Sequence, residues 1–338
     1  MHTMFGEDVI TGLYNYLVRE TGDRFILTLD KIREQIFSDC YSSFLLGCQG
    51  PDIFYHSQSR RPVAIEYGSL LHRRSCGFFS VGLLKKGQSS PEHASYALGF
   101  MTHAILDRIC HPYIIYHCGG NYHSFFERII DVLMLKELRG LDPVSWDREK
   151  KLANICESPP QGLKELIADS LAEAFPERVN KDKHLPHRID NALADCSNFY
   201  SMTSPSKISA VPRDGTITRR SLNYVYPENL PGDIDFLNLN HKPWRYPYVH
   251  AGDQTHDDTR SFLDVYHDAV KTAVDALAPC IILYLECGIF PVTAAAGKIG
   301  NDSLSIQDEE GRPCAPNLTD PLPLVDVLNQ QAKLRGVQ

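Results

Sequence analysis

Between Ala97 and Glu127 the chain reads ALGFMTHAILDRICHPYIIYHCGGNYHSFFE. His103, Asp107 and His111 stand at i, i+4 and i+8, and after a short break His123 and Glu127 repeat the interval. On an α-helix, residues four apart share a face about one turn apart. The first helix therefore presents His, Asp and His along one stripe, and the next presents His and Glu. All five side chains are first-row metal ligands at neutral pH. Their neighbours Phe100, Met101, Ile105, Leu106, Ile109, Phe125, Ile129 and Ile130 are apolar, so both helices should be largely buried. Ionisable groups do not line a buried seam without a partner, and metal ions are the economical partner.

These stripes need a helical scaffold, and the rest of the chain supplies one. Residues 6–21 carry Val9, Ile10, Leu13, Tyr14 and Leu17 at helical spacing, with Glu7 and Asp8 where the dipole favours acids and Gly22 as a stop. The pattern predicts further helices over roughly 25–38, 40–47, 62–86, 123–138, 145–156, 160–175, 184–203 and 257–286. Pro91 fits the first turn of the central helix, behind Ser89 or Ser90 as cap. Gly50-Pro51-Asp52 reads as a turn presenting a carboxylate. Gly68, one turn before His72, admits a close neighbour. Residues 205–256 are rich in Pro, Gly, Asn and aromatics and read as an irregular insertion or lid carrying Tyr224, Tyr226, Phe236, Trp244, Tyr246 and Tyr248. The last fifty residues read as irregular apart from one helix near 322–334. No strand pattern or internal repeat emerges. The expectation is an all-α fold: a helical metal-binding core over 1–204, the insertion, and a C-terminal helix and tail over 257–338 packed on the same domain.

Composition narrows the classes of function. The chain has 338 residues, 43% hydrophobic and 22% charged, as in an ordinary globular protein. Its net charge of −8 comes without a basic block, which speaks against nucleic acid as partner. Five of the 14 histidines fall between His93 and His123, so their function is local. The ten cysteines include no CxxC pair. Nine of them, Cys287 included, sit in apolar or helical surroundings and read as buried free thiols, while Cys314 lies in a polar tail. The N-terminal stretch shows no charged n-region or cleavage pattern, and no apolar run is long enough to span a bilayer. The expectation is a reduced, cytoplasmic protein.

His2, Asp52, His72, His103, Asp107, His111, His123 and Glu127 are the candidate ligands. Eight nitrogen and oxygen donors are too many for one tetrahedral zinc and suit two or three ions sharing a carboxylate. Such multinuclear sites lower the pKa of bound water and clamp phosphate oxygens as charge develops, which is the apparatus of phosphoester hydrolysis. His56 and His117 read as neighbours of the cluster or surface residues, and His93 as a first-turn helix residue. His184, His187, His241, His250, His256 and His267 lie outside the pattern.

HAILDRICH and YHSFFE, with His2, Asp52 and His72 in matching chain order, resemble the zinc-dependent phospholipase C family, similar in fold to P1-type nucleases. The match covers roughly residues 1–140. DFLNLNHKPWRYP and SFLDVYHDAV look like the intracellular branch of that family. The resemblance implies an all-helical fold and up to three zinc ions. One would be held by Asp52, His72, His103 and Asp107, and a second by His111, His123 and Glu127. The third would lie at His2 and a bridging Asp107. The position of Asp52 is also the family's candidate base for the attacking water. The implied reaction cleaves a phospholipid on the glycerol side of its phosphate, giving diacylglycerol and a phosphorylated head group. Two features depart from the secreted members. There the spacing between Asp107 and His111 is longer, and the third zinc takes the amine and carbonyl of a processed N-terminal residue, whereas this chain opens Met1-His2.

Two other readings share these residues. One keeps the metals and changes the substrate to nucleic acid or a soluble phosphodiester. The other is a non-catalytic, metal-stabilised helical protein binding lipid or a partner, whose ions would be saturated by protein ligands.

Overall fold

A computed structural model describes residues 1–210, 218–247, 257–287, 291–304 and 318–337. Among them lie sixteen α-helices: α1 His2–Thr21, α2 Ile26–Phe37, α3 Tyr41–Gly47, α4 Asp52–Tyr55, α5 Ile65–Arg73, α6 Cys76–Gly87, α7 Pro91–Cys118, α8 His123–Arg139, α9 Arg148–Glu157, α10 Leu163–Ala174, α11 Pro176–Val179, α12 Leu185–Thr203, α13 Pro205–Ala210, α14 Phe262–Cys287, α15 Val292–Ile299 and α16 Leu324–Leu334. One antiparallel pair joins Trp244–Arg245 to Asp257–Asp258, the sole strand pairing among the described residues. The fold is all-α, as the periodicity implies.

The molecule is built around α7. The Ser90 hydroxyl caps it by accepting from the His93 amide, Pro91 starts it where no amide partner is needed, and Gly119 at φ 61° ends it. Helices α1, α3, α6, α8 and α14 all pack against it. That is why α7 is buried almost all round and lacks a polar face. The closest approach is α3: a Cβ at Gly47 would stand 2.1 Å from the Tyr96 carbonyl oxygen, and one at Gly99 would stand 2.5 Å from the Phe44 oxygen. Only two facing glycines let these backbones touch.

The structure corrects the sequence at four places. The helix expected over 62–86 is two, α5 and α6, broken where Arg74 turns extended and Ser75 adopts φ 61°. The tail causes the break: Ser75 donates its amide to Asn301, while Leu304 and Ser303 both donate to the His72 carbonyl. The tail itself is less irregular than expected, since VTAAAGKI forms α15 against α6. Its alanines favour helix, against the flanking Pro291 and Gly300. The helix expected from 257 begins at Phe262, behind the strand pair. Finally, Cys287 is exposed, whereas the other eight described thiols are free and buried. Cys314, Tyr248, His250 and His256 lie outside the described residues. Within 218–247, Trp244 and Phe236 pack into the core beside Tyr113 of α7, whose hydroxyl donates to the Phe236 carbonyl at 2.9 Å. No helix among the described residues is long and apolar enough to cross a membrane.

Candidate metal centre

Each sequence-picked side chain reaches its place through a local device. Asp52 opens α4 directly after the turn at Gly50. Gly50 has φ 51°, and a Cβ there would lie 2.3 Å from the His103 ring, so only glycine lets the loop cross that imidazole. Gly68 of α5 lets α4 approach to contact distance, with the Pro51 carbonyl 3.3 Å from a hypothetical Cβ. His72 Nε2 thereby comes within 3.1 Å of Asp52 Oδ1. His2, in the first turn of α1, stacks on His103 with ring centroids 4.1 Å apart.

Asp107 sits among four imidazoles. Its oxygens lie 3.1 Å from His103 Nε2, 3.6 Å from His2 Nε2, 3.7 Å from His72 Nε2 and 4.0 Å from His111 Nδ1. Glu127 lies 2.9 Å from His123 Nε2 and 3.8 Å from His111 Nε2. All eight candidates thus converge, in three groups: His2, His103 and Asp107; Asp52, His72 and His103; His111, His123 and Glu127.

The tautomers decide what this convergence means. His72 Nδ1 faces the Gly68 carbonyl at 2.9 Å, His103 Nδ1 the Cys48 carbonyl at 3.1 Å, and His111 Nδ1 the Leu304 carbonyl at 2.8 Å. A carbonyl only accepts, so each Nδ1 carries the proton and each neutral ring turns a bare Nε2 lone pair toward the carboxylates. His103 Nε2 is buried with no hydrogen-bond partner. Lone pairs facing carboxylate oxygens repel unless a cation or proton lies between them. Two ligands about 2.1 Å from a tetrahedral zinc stand about 3.4 Å apart, in the middle of the separations found here. Backbone-anchored imidazoles are also the usual outer support of a zinc ligand. The residues fit the ions.

Without an ion, protons take that role. Burial opposes charge on His111, yet Asp107 and Glu127 hold its pKa up to about 10. Burial likewise opposes charge on His103, and Asp107 raises it nonetheless. Burial and the neighbouring His103 push His2 down to about 4. Despite burial, the surrounding imidazoles hold the carboxyls of Asp107 and Glu127 well below their usual range.

The cluster borders a cavity of about 490 Å³. His103 is fully buried, but Asp52, His123 and Glu127 keep about a third of their side-chain surface exposed (34, 33 and 32%), leaving one side open. The cavity also takes residues that spacing does not single out. Arg128, Trp146, Arg148 and Glu149 come from α8, α9 and the segment before α9. Arg128 follows Glu127 directly, which is a usable signal; the others are brought in by packing alone. His56 lines the cavity stacked on Phe199 at 3.8 Å, and burial lowers its pKa to about 4. His117 instead packs against Tyr113 and Trp244 in the core. His93 is the first-turn residue expected.

An all-α fold that turns imidazole lone pairs and carboxylates into one open cavity has the build of a metal-binding protein. Residues 1–185, more than half of the chain, match the family described as zinc dependent phospholipase C, and the chain belongs to that family. No curated protein and no solved structure gives a significant match. Membership implies a zinc-dependent hydrolase acting on phospholipid.

Proposed function

We propose that the chain hydrolyses phosphodiesters at this cavity in the manner of a phospholipase C, releasing diacylglycerol and a phosphorylated head group. The observation that carries this reading is the set of Nε2 lone pairs, fixed by backbone carbonyls, that converge with carboxylates on an open cavity. Zinc held there would acidify water and neutralise charge on the phosphate. His2 and Asp107 would form one holding group, Asp52 and His72 another, and His111, His123 and Glu127 the third; His103, with a single free Nε2, would serve one of the first two. Asp52 is the base: its carboxylate keeps about a third of its surface exposed and borders the cavity, where it takes the proton of the attacking water. The new bond joins water oxygen to phosphorus, and the glycerol oxygen leaves, taking up a proton. The open side supports catalysis over a purely structural metal site. The eight buried free thiols support a reducing compartment.

The test is elemental analysis of the chain purified without added zinc, followed by a hydrolysis panel of phosphatidylcholine, other phospholipids, bis(4-nitrophenyl) phosphate and single-stranded DNA. Two or three zinc ions with phospholipid turnover is the expected result. Zinc without turnover of any phosphodiester, or DNA cleaved faster than lipid, overturns it.

A further inference from the structure

On the α9 side of the cavity, Arg128 lies over the Tyr226 ring at 4.6 Å and Arg148 over the Trp146 ring at 4.2 Å. The Tyr226 and Trp146 faces on which a quaternary ammonium would stack are already covered by guanidinium ions. A second anion is no better served. Arg128 Nη1 is shared by Glu149 at 2.8 Å and Asp131 at 3.4 Å, while Arg148 Nη2 is matched by Glu7 at 3.2 Å. The Met1 nitrogen adds a contact to Asp131 at 2.6 Å. Each guanidinium is neutralised where it stands.

What this side does offer is unspent hydrogen bonding. Tyr226 donates its hydroxyl to Glu149 Oε1 and accepts from Arg128 Nη1. Among the described residues, Arg128 Nε and Nη2, Arg148 Nη1 and Glu149 Oε2 take no hydrogen bond, and none of the four is fully enclosed. Donors and an acceptor line one charge-balanced wall of the cavity. Neighbouring hydroxyl groups use that arrangement, because each hydroxyl both accepts and donates.

We infer that the cavity selects phosphodiesters whose head group is a neutral polyol, such as glycerol or inositol, with Arg128, Arg148 and Glu149 as the residues that read it. This rests on the phosphodiesterase reading for the phosphate itself, which the metal cluster would hold. Sites built to pair with hydroxyls reject analogues that lack them, because their buried polar groups are then left without partners.

The test is calorimetry on the zinc-loaded full chain with glycerophosphoinositol, glycerophosphoglycerol, glycerophosphocholine and glycerophosphoserine, beside hydrolysis of the corresponding phospholipids in mixed micelles. Both polyol compounds should bind roughly tenfold or more tightly than the choline and serine compounds. Arg148→Met, which loses donors but keeps bulk over Trp146, should bring that ratio close to one. Glu149→Met, which removes the acceptor, should do the same if it folds, and the wild-type ratio needs no variant. Choline or serine binding as tightly as the polyols overturns the inference, as does a ratio that Arg148→Met leaves intact. Polyol preference with no phosphodiester hydrolysed upholds the inference and sinks the hydrolase reading. Hydrolysis with choline preferred does the reverse. Turnover of the micellar lipids identifies the lipid as the source of the polyol, and turnover of the deacylated compounds alone identifies a soluble diester.

Discussion

The two sides of the cavity are both crowded with ionisable groups, yet they are satisfied in opposite ways. Around Asp107, His72, His103 and His111 spend Nδ1 on backbone carbonyls and turn Nε2 lone pairs on the carboxylates. Around Arg128 every carboxylate already has a cation or hydroxyl against it. The first side needs a cation from outside the chain; the second balances its charges from within, though it leaves donors and an acceptor free. Burial of charge is therefore not the mark of a metal site, since both sides bury charge. The mark is acceptors converging on acceptors.

The largest expected effect breaks the first side at its centre. Asp107→Asn removes the carboxylate that faces four imidazoles, and should cost at least one bound zinc and roughly a thousandfold in phosphodiester turnover. Elemental analysis and initial rates on the same preparation check it. Unchanged zinc content would refute the shared role of this residue.

Gly50→Ala attacks the same side through the backbone. A methyl group there meets the His103 ring at 2.3 Å and holds φ at 51°, so the chain should lose about 3 kcal/mol or more of stability. Denaturant melts with and without zinc measure it. The zinc-loaded loss should be the larger if the displaced ring serves as the ligand proposed for it.

Proton and metal compete for the first side, which gives a pH signature. His111 has its pKa raised from 6.5 to about 10 in the metal-free fold. The stability it contributes is therefore fully present below pH 6.5 and is lost as pH rises through about 10. Zinc affinity moves the other way, since the proton must leave before the ion binds. His2, lowered to about 4, contributes stability above pH 6.5 that is lost only on acidification, outside this window. Melting temperatures of loaded and chelated protein should therefore separate further as pH is raised from 6.5 toward 10. A constant gap would contradict the coupling.

The smallest effect belongs to the second side. Tyr226→Phe removes one donor and one acceptor from the Arg128–Glu149 pair and should cost about 1–2 kcal/mol. Zinc content should not change. A loss of zinc would mean that the two sides are not separable.

Much of this was legible in the chain. The i, i+4 rule put His103, Asp107 and His111 on one face and His123 and Glu127 on another, because helix geometry is local and needs no knowledge of the rest. Apolar periodicity marked the helices, and Ser90-Pro91 marked the start of α7. The break at Ser75 was not legible, because its cause, the hydrogen bonds from residues 301–304, lies more than 200 positions away. Nor was α15, whose alanines were outweighed by the proline and glycine beside it.

The sequence by itself determined which side chains could bind metal and that helices would carry them, since both follow from residue type and near-neighbour spacing. Only the tertiary structure decided which nitrogen of His72, His103 and His111 carries the proton. That choice is made by carbonyls of Gly68, Cys48 and Leu304, and two of these three lie far along the chain from the ring they hold. It likewise decided that Arg128 and Arg148 share a cavity with the cluster, because α9 reaches it through packing and not through any repeat in the chain.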